Sequence, residues 1–424
     1  MQYKMNILTV IPWFPSPSSG YCLEGNFQYH QSKKLVERGN NVIILSIQKK
    51  GMPKYEIVDG ICVYRFPAYT VPMIRYFVPQ LTKLNRLIED TCKDYNVDLL
   101  EFFSSDFLTS IPIIYVKNKI KLPTVVVVNG LPGISWFTGN RIVDSVGYLY
   151  THTIGKKIIQ SADGVRLLHS GLYKDLQMLG VQRDNIKAIS QGVNTDTFSP
   201  YFDKLAVRSA LNIGERDFLV LYVGRLVNPI KMKGTPFLIE AIKDLLPENK
   251  NIKLLFVGDG NGRTKNEELT LDINSNVIFT GYRYDVNRVM SAADVLVVPS
   301  LAEGCPAVVL EASACGIPVI ACRVGGVPDL IEDGKTGIIV NTENVFDIKQ
   351  ALLTLKDNPA SKMEMGKRAR QRMESEFTWD KICEKLEIFY SSLLNTPTVR
   401  SRDEVLPASS LKSSKSQGNE VEAP

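Results

Sequence analysis

The sequence predicts an α/β protein built from two Rossmann-like domains with parallel sheets, and three observations predict it. Short, wholly apolar strand-like runs alternate with helical segments in both halves. The alternation stops in a polar stretch at residues 194–204, NTDTFSPYFDK, and restarts near residue 217. Loops that directly follow these runs hold Gly, Arg, Lys and Glu, and parallel α/β sheets bind ligands at such positions. A chain of 424 residues also exceeds what one hydrophobic core organises.

In the first half MNILTVI is a strand, followed by the loop WFPSPSSGYCLEG. FQYHQSKKLVERG has helical spacing and ends on Gly39. NNVIILSI, VDLLEFF, PTVVVVNG and ADGVRLLHS follow as strands. Runs that are apolar throughout suit strands covered on both faces. In the second half DFLVLYVGRL, NIKLLFVGDG, NVIFTGY, ADVLVVPS and IPVIACRVGG are strands. TPFLIEAIKDLL and PAVVLEASACG are helices, and TWDKICEKLEIFYSSLL closes the ordered chain. The expected layout is a first domain at 1–198, a second at 199–378 and a C-terminal helix at 379–394. The Ser-, Pro- and Lys-rich tail at 395–424 is expected to be disordered.

Composition excludes several classes. The chain is 44% hydrophobic and 22% charged, which is globular usage. No apolar run reaches the ~18 residues of a membrane span, and the first residues lack the form of a signal peptide. Seven scattered cysteines without a C-x-x-C pair, and only three histidines, argue against a disulfide frame or a zinc site and for a reducing, cytoplasmic setting. Residues 1–198 hold 22 Lys and Arg against 15 Asp and Glu, so the first half is basic. It could face phosphates or the inner face of an anionic membrane, although ordinary surface variation explains it equally well. IRYFVPQLTKLNRLIEDTCK at 74–93 could touch such a membrane; an ordinary amphipathic surface helix is the simpler reading. No nucleic-acid partner is expected.

Four motifs sit where ligands bind. VGRL places Arg225 after a strand, with Lys231, Lys233 and Gly234 before the next helix, which suits an anion clamp; a solvated basic loop is the alternative. GDGNGR at 258–263 lacks the last glycine of a dinucleotide fingerprint and reads as a tight turn. EGCPAVVLEASACG puts Pro306 at the first helical position and Gly316 just past the end. Glu303 then lies in the loop and Glu311 inside the helix, among residues expected to be buried. An ionised Glu311 there needs hydrogen-bond donors such as sugar hydroxyls, or a salt bridge. RVGGVPDLI offers Gly325 and Gly326 for unusual backbone angles, with Asp329 at the start of a helix. No nucleophile motif or D-x-D occurs, so a diphosphate would be handled by Arg, Lys and helix dipoles without metal or cofactor.

Taken together, GRL with KG, VGDG, VIFTGY, ADVLVVPSLAEGCPAVVLEASACGIPVIA and GGVPDLIEDGKTGIIV resemble retaining glycosyltransferase family 4, the glycosyl transferases group 1, of GT-B fold. The likeness runs almost unbroken from 217 to 341 and is weaker in the first half. It implies two Rossmann-like domains facing a central cleft, a nucleotide-sugar donor on the second domain, and a closing helix that crosses back to the first. It further implies that Glu311 meets the ribose and Glu303 the transferred sugar, with Arg225 and Lys233 on the diphosphate. Gly304, Cys305, Pro306, Ala307, Val308 and Val309 would line the donor, and Gly281 and Tyr282 the base. Three departures stand out. The lysine follows GRL at a longer spacing, Asn129-Gly130 stands where members have His-Gly, and only Gly20 and the more distant Gly25 replace a Gly-Gly pair.

The function expected is metal-independent, retaining transfer of a hexosyl group from a UDP- or GDP-sugar to a glycan or lipid-linked acceptor, as in surface polysaccharide or glycoconjugate synthesis. A nucleotide-sugar epimerase and an inactive nucleotide-sugar binder are the alternatives. The expected place is the cytoplasm, with peripheral membrane contact through the basic first domain.

Overall fold

The structure is a computed structural model that describes residues 4–20, 23, 26–71, 76–105, 107–200, 203–227 and 229–395. The tail from 396, Gly25, and the first residues of the 74–93 stretch lie outside it.

Two sheets organise the chain. The first contains β1 (Asn6–Val10), β2 (Asn41–Ile47), β3 (Tyr55–Val58) and β4 (Ile61–Phe66). After a separate ribbon of β5 (Ala68–Val71) and β6 (Tyr76–Pro79), it is completed by β7 (Leu99–Phe103), β8 (Thr124–Val128), β9 (Gly164–Leu167) and β10 (Ile186–Ala188). Its order is β10-β9-β8-β7-β1-β2-β4-β3, parallel except where β3 pairs antiparallel with β4. β3 to β6 are absent from the sequence reading. Short and partly exposed, β3 carries no apolar run long enough to stand out, and the run of β4 is broken by Tyr64 and the buried Arg65.

The second sheet contains β11 (Phe218–Val223), β12 (Ile252–Val257), β13 (Val277–Phe279), β14 (Val295–Val298), β15 (Val319–Cys322) and β16 (Gly337–Val340). Its order, β13-β12-β11-β14-β15-β16, is wholly parallel. This is the doubly wound Rossmann order, and its direction reverses between β11 and β14. In the first sheet the reversal falls between β1 and β7. Strands such as β8 and β14 are buried at every residue, as two-sided helical cover requires.

The helix Trp379–Leu394 follows Thr378, whose side chain accepts from the Lys381 N–H. Trp379, Ile382, Leu386, Phe389 and Tyr390 pack with Ile7, Ile44, Val125 and Val127 of the first domain. Tyr390 donates to the buried Glu101 carboxylate at 2.6 Å, and Arg38 pairs with Glu387 at 2.8 Å. Arg370 donates to the carbonyls of Thr195, Phe198 and Ala314, tying the linker to the second domain. The helix Leu81–Asp94 turns Leu84, Ile88 and Cys92 into the first core. It is an ordinary surface helix with its apolar face covered. The six described cysteines are free thiols.

Candidate functional site

The site is built at the reversal point of the second sheet. The loop after β11 begins with Gly224 and Arg225 and the loop after β14 is PSLAEG, so neighbouring strands bring Arg225, Lys233 and Glu303 to one edge. Lys233 Nζ lies 2.6 Å from Glu303 Oε1, with both side chains partly covered. Arg225 is exposed and makes no ion pair among the described residues. The side chain of Lys231 lies outside the description. Tyr222 sits beneath this edge, and burial first, then the charge of Glu303, pushes its phenol well up.

Glycines let these loops touch. Gly234 has φ +67°, and a Cβ there would stand 1.8 Å from the Pro299 carbonyl oxygen. A Cβ on Gly258 would stand 2.0 Å from the carbonyl oxygen of Gly224, and the Gly258 N–H donates to Gly281 O at 2.8 Å. The GDGNGR turn therefore buttresses the VGRL loop by close backbone approach. Gly325 has φ +50° and packs on Glu303 O, while the Gly326 N–H donates to Gly304 O at 2.6 Å. The glycine pair thus holds the Glu303 loop from behind.

The next helix is Ala307–Ala314, with Pro306 as its N-cap and Gly316, φ +72°, past its end. Pro306 is thus one residue earlier than the first helical position expected. Ala307 is exposed and Val308 half-buried, so Val308 is not the core residue expected. Val309, Leu310, Ala312 and Ala314 are buried. The Val309 N–H donates to Pro306 O at 3.2 Å, which leaves the N–H groups of Ala307 and Val308 as the ones without an intrahelical acceptor. Glu311 is half-buried. It lines a small pocket with Ala307, Gln191, Asn194, Phe198 and Trp379, apart from the Lys233–Glu303 pair.

The first domain closes over this edge. Asn129, exposed at the end of β8, lies so close that a Cβ on Gly304 would stand 2.3 Å from its Oδ1. Gln191 Nε2 donates to Cys305 O at 2.6 Å. Cys305 also packs on the first domain's core, and burial pushes its thiol up to about 11, far from a neutral-pH nucleophile. Ser170 donates through its N–H and its hydroxyl to the two carboxylate oxygens of Asp329, each at 2.5 Å. Asp329 is therefore an interdomain contact in addition to a helix-start residue. His169 is buried beside Gly326, and its Nδ1 has no hydrogen-bond partner. Burial lowers its pKa, with Asp329 and Asp175 opposing.

Gly20 caps a short turn at φ +77°. Its loop ties Ser18 to Glu56 and Ser19 to Gly51 within the first domain. Gly281, φ +71°, and Tyr282 lie on the loop after β13, where the Tyr282 and Tyr284 rings meet edge-on at 5.0 Å and stay exposed. His169, Ser170 and Gln191 went unremarked in the sequence. The rule that ligand residues follow strands would have found the first two, directly after β9. Among the described residues no group of three or more His, Cys, Asp or Glu is placed to hold a metal ion.

This cleft between two Rossmann-like domains is the GT-B architecture, and residues 203–372 match the family model for glycosyl transferases group 1. The motif resemblance is thereby borne out in the second domain. Of solved structures, sucrose-phosphate synthase of Thermosynechococcus elongatus superposes with TM-score 0.77 at 21% identity, covering 92% of this chain and 99% of that one. Anabaena HepE, solved with UDP-glucose, superposes with TM-score 0.69 at 18% identity, covering 92% of this chain and 100% of its own. In sequence, a sulfoquinovosyl transferase of Arabidopsis thaliana is 32% identical over 227 residues, 52% of this chain and 42% of its own. A GDP-mannose-dependent phosphatidylinositol monomannoside mannosyltransferase of Corynebacterium glutamicum is 31% identical over 210 residues, 47% of this chain and 54% of its own. The chain thus spans about half the length of these two relatives. An uncharacterized glycosyltransferase of Methanocaldococcus jannaschii is 24% identical over 83% of this chain and 89% of its own.

Proposed function

We propose that the chain is a retaining, metal-independent glycosyltransferase that moves a hexosyl group from a nucleoside diphosphate sugar to a hydroxyl of a glycan or lipid-linked acceptor. The observation that carries this reading is the Lys233–Glu303 pair at the reversal point, at the head of the Ala307–Ala314 helix and under the first domain. Before donor binds, Lys233 holds Glu303 in place. An incoming diphosphate competes for Lys233 and is met by Arg225 and the first N–H groups of the helix. Glu303 is then released toward the sugar hydroxyls. The ribose hydroxyls would donate to Glu311. Charge that develops on the leaving diphosphate meets groups already in position, so electrostatics and orientation supply most of the rate. The nucleotide sugar is a substrate in this scheme, and no cofactor takes part. The UDP-glucose held by HepE supports a uridine diphosphate sugar as the first donor to test, with GDP-mannose second.

The experiment is incubation with each donor and an acceptor panel, with and without chelator, followed by assignment of the anomeric configuration. A product of retained configuration that forms equally in chelator supports the reading. An inverted product, loss of turnover in chelator, or an epimerised donor formed without acceptor would replace it.

A further inference from the structure

The helix Arg141–Tyr150 has no buried residue. It touches the protein through Gly147, where a Cβ would stand 2.9 Å from Pro132, and through Asp144 and Tyr148, whose backbone crosses Gly133. The Asp144 carboxylate accepts from the Thr138 N–H, the Thr138 hydroxyl and the Gly139 N–H at 2.7, 2.8 and 3.2 Å. At ~100° per residue, Ile142, Val146 and Leu149 lie on the side opposite Gly147 and Asp144. They are 77%, 63% and 65% exposed. A globular helix turns its apolar stripe inward; this one turns it out. Of the 22 exposed large hydrophobic residues among those described, eight fall within residues 136–154, and Trp136 and Phe137 are two of them.

We propose that this segment is an interfacial element that seats the first domain on an anionic lipid bilayer. Apolar residues outward, aromatic residues beside them and cations at the ends are what the boundary of headgroups and acyl chains accepts. Exposed Arg141 and Lys157 bound the stripe. Arg141 has no ion-pair partner among the described residues and lines a surface groove with Asp144, Ser145 and Tyr148, in which the Asp144 carboxylate is already engaged by Thr138 and Gly139. The basic excess of residues 1–198 acts in the same direction. The same basic excess, present on both copies, opposes a second copy as occupant.

The segment is joined to the cleft on its N-terminal side. Asn129 touches Gly304, and Gly139 packs on Met232 and Pro229 of the lysine loop. A seated segment would thus hold the cleft mouth near the membrane surface. This deepens the lipid-linked option for the acceptor, yet its test needs neither donor nor acceptor, so it stands or falls apart from the transferase reading.

The test is co-sedimentation of the full chain with phosphatidylcholine vesicles that contain about a third phosphatidylglycerol. The unaltered chain should sediment with these and much less with pure phosphatidylcholine. The combined variant Ile142→Ser, Val146→Ser, Leu149→Ser should bind on the order of tenfold less with an unchanged melting temperature, because none of the three is buried. Lys157→Glu alone should weaken binding about fivefold. No sedimentation of the unaltered chain, equal binding to neutral vesicles, or wild-type binding by the triple variant overturns the proposal. So does a dimer in solution that the triple variant abolishes, which would assign the stripe to a second copy.

Discussion

The two sheets reverse direction in the same way but furnish their reversal points differently. Between β11 and β14 the loops meet backbone to backbone through Gly234 against Pro299, with Lys233 and Glu303 paired above. Between β1 and β7 the turn glycine, Gly20, would have nothing within 4 Å of an added Cβ, and Ser104 takes φ +68° without being glycine. Hydroxyls and carbonyls meet there: the Ser110 hydroxyl donates to Ser104 O at 2.7 Å and Tyr150 to Ser105 O at 3.1 Å. One topology therefore yields a tightly packed edge with a Lys–Glu pair at its mouth and a looser one lined by hydroxyls and carbonyls, where the ion pair of Arg65 with Glu56 braces the Gly20 loop. The first suits a diphosphate.

The sharpest way to break that comparison is a pair of alanines. Gly234→Ala drives a methyl into a carbonyl at a left-handed φ and should cost on the order of 3 kcal/mol or more. Gly20→Ala meets only the backbone penalty of about 1 kcal/mol. Chemical denaturation measures both, and equal losses would erase the distinction.

A second pair contrasts two helices of the first domain. Leu84→Ala empties a core position and should cost about 2–5 kcal/mol, whereas Val146→Ala should stay within about 0.5 kcal/mol. A large loss at Val146 would mean that its helix is packed after all.

Turnover gives the third contrast. Arg225→Ala should lower kcat about 100-fold, or 2.7 kcal/mol of barrier, if it meets the diphosphate. Asn129→Ala, on the opposite domain, should cost no more than about tenfold. Steady-state kinetics decides, and the reverse order would move the chemistry to the first domain.

The smallest effect is in pH. His169 is held neutral by burial between the domains, so its folded pKa lies below the unfolded value of ~6.5. Its stabilisation is complete above that value and is lost as pH falls, because the unfolded chain binds the proton more readily. The melting temperature should fall between about pH 7 and pH 5, and His169→Asn should flatten that slope. An unchanged slope would assign it to other groups.

Much of this was legible in the sequence for definite reasons. Strands buried on both faces are apolar throughout, so nearly every strand of the second sheet was visible. Glycines at forced backbone angles and charges after strands marked Gly234, Arg225, Lys233, Glu303 and Glu311, and Pro306 was misplaced by a single residue. The edge strand β3, the inner strand β4 and the ribbon β5–β6 were not visible: β3 is short and partly exposed, and the run of β4 is broken by Tyr64 and the buried Arg65.

The sequence by itself determined the doubly wound class, the switch-point residues and the closing helix, because each rests on local pattern: two-sided burial, helix ends and turn glycines. Only the tertiary structure decided what covers each surface. It joined Lys233 to Glu303 across 70 positions of sequence, set Asp329 on Ser170 of the other domain, and gave Glu311 a pocket of its own. It buried the stripe of the Leu81–Asp94 helix and left that of Arg141–Tyr150 open. Periodicity fixes that a helix has an apolar face, but which element packs against that face depends on contacts between residues far apart in the chain.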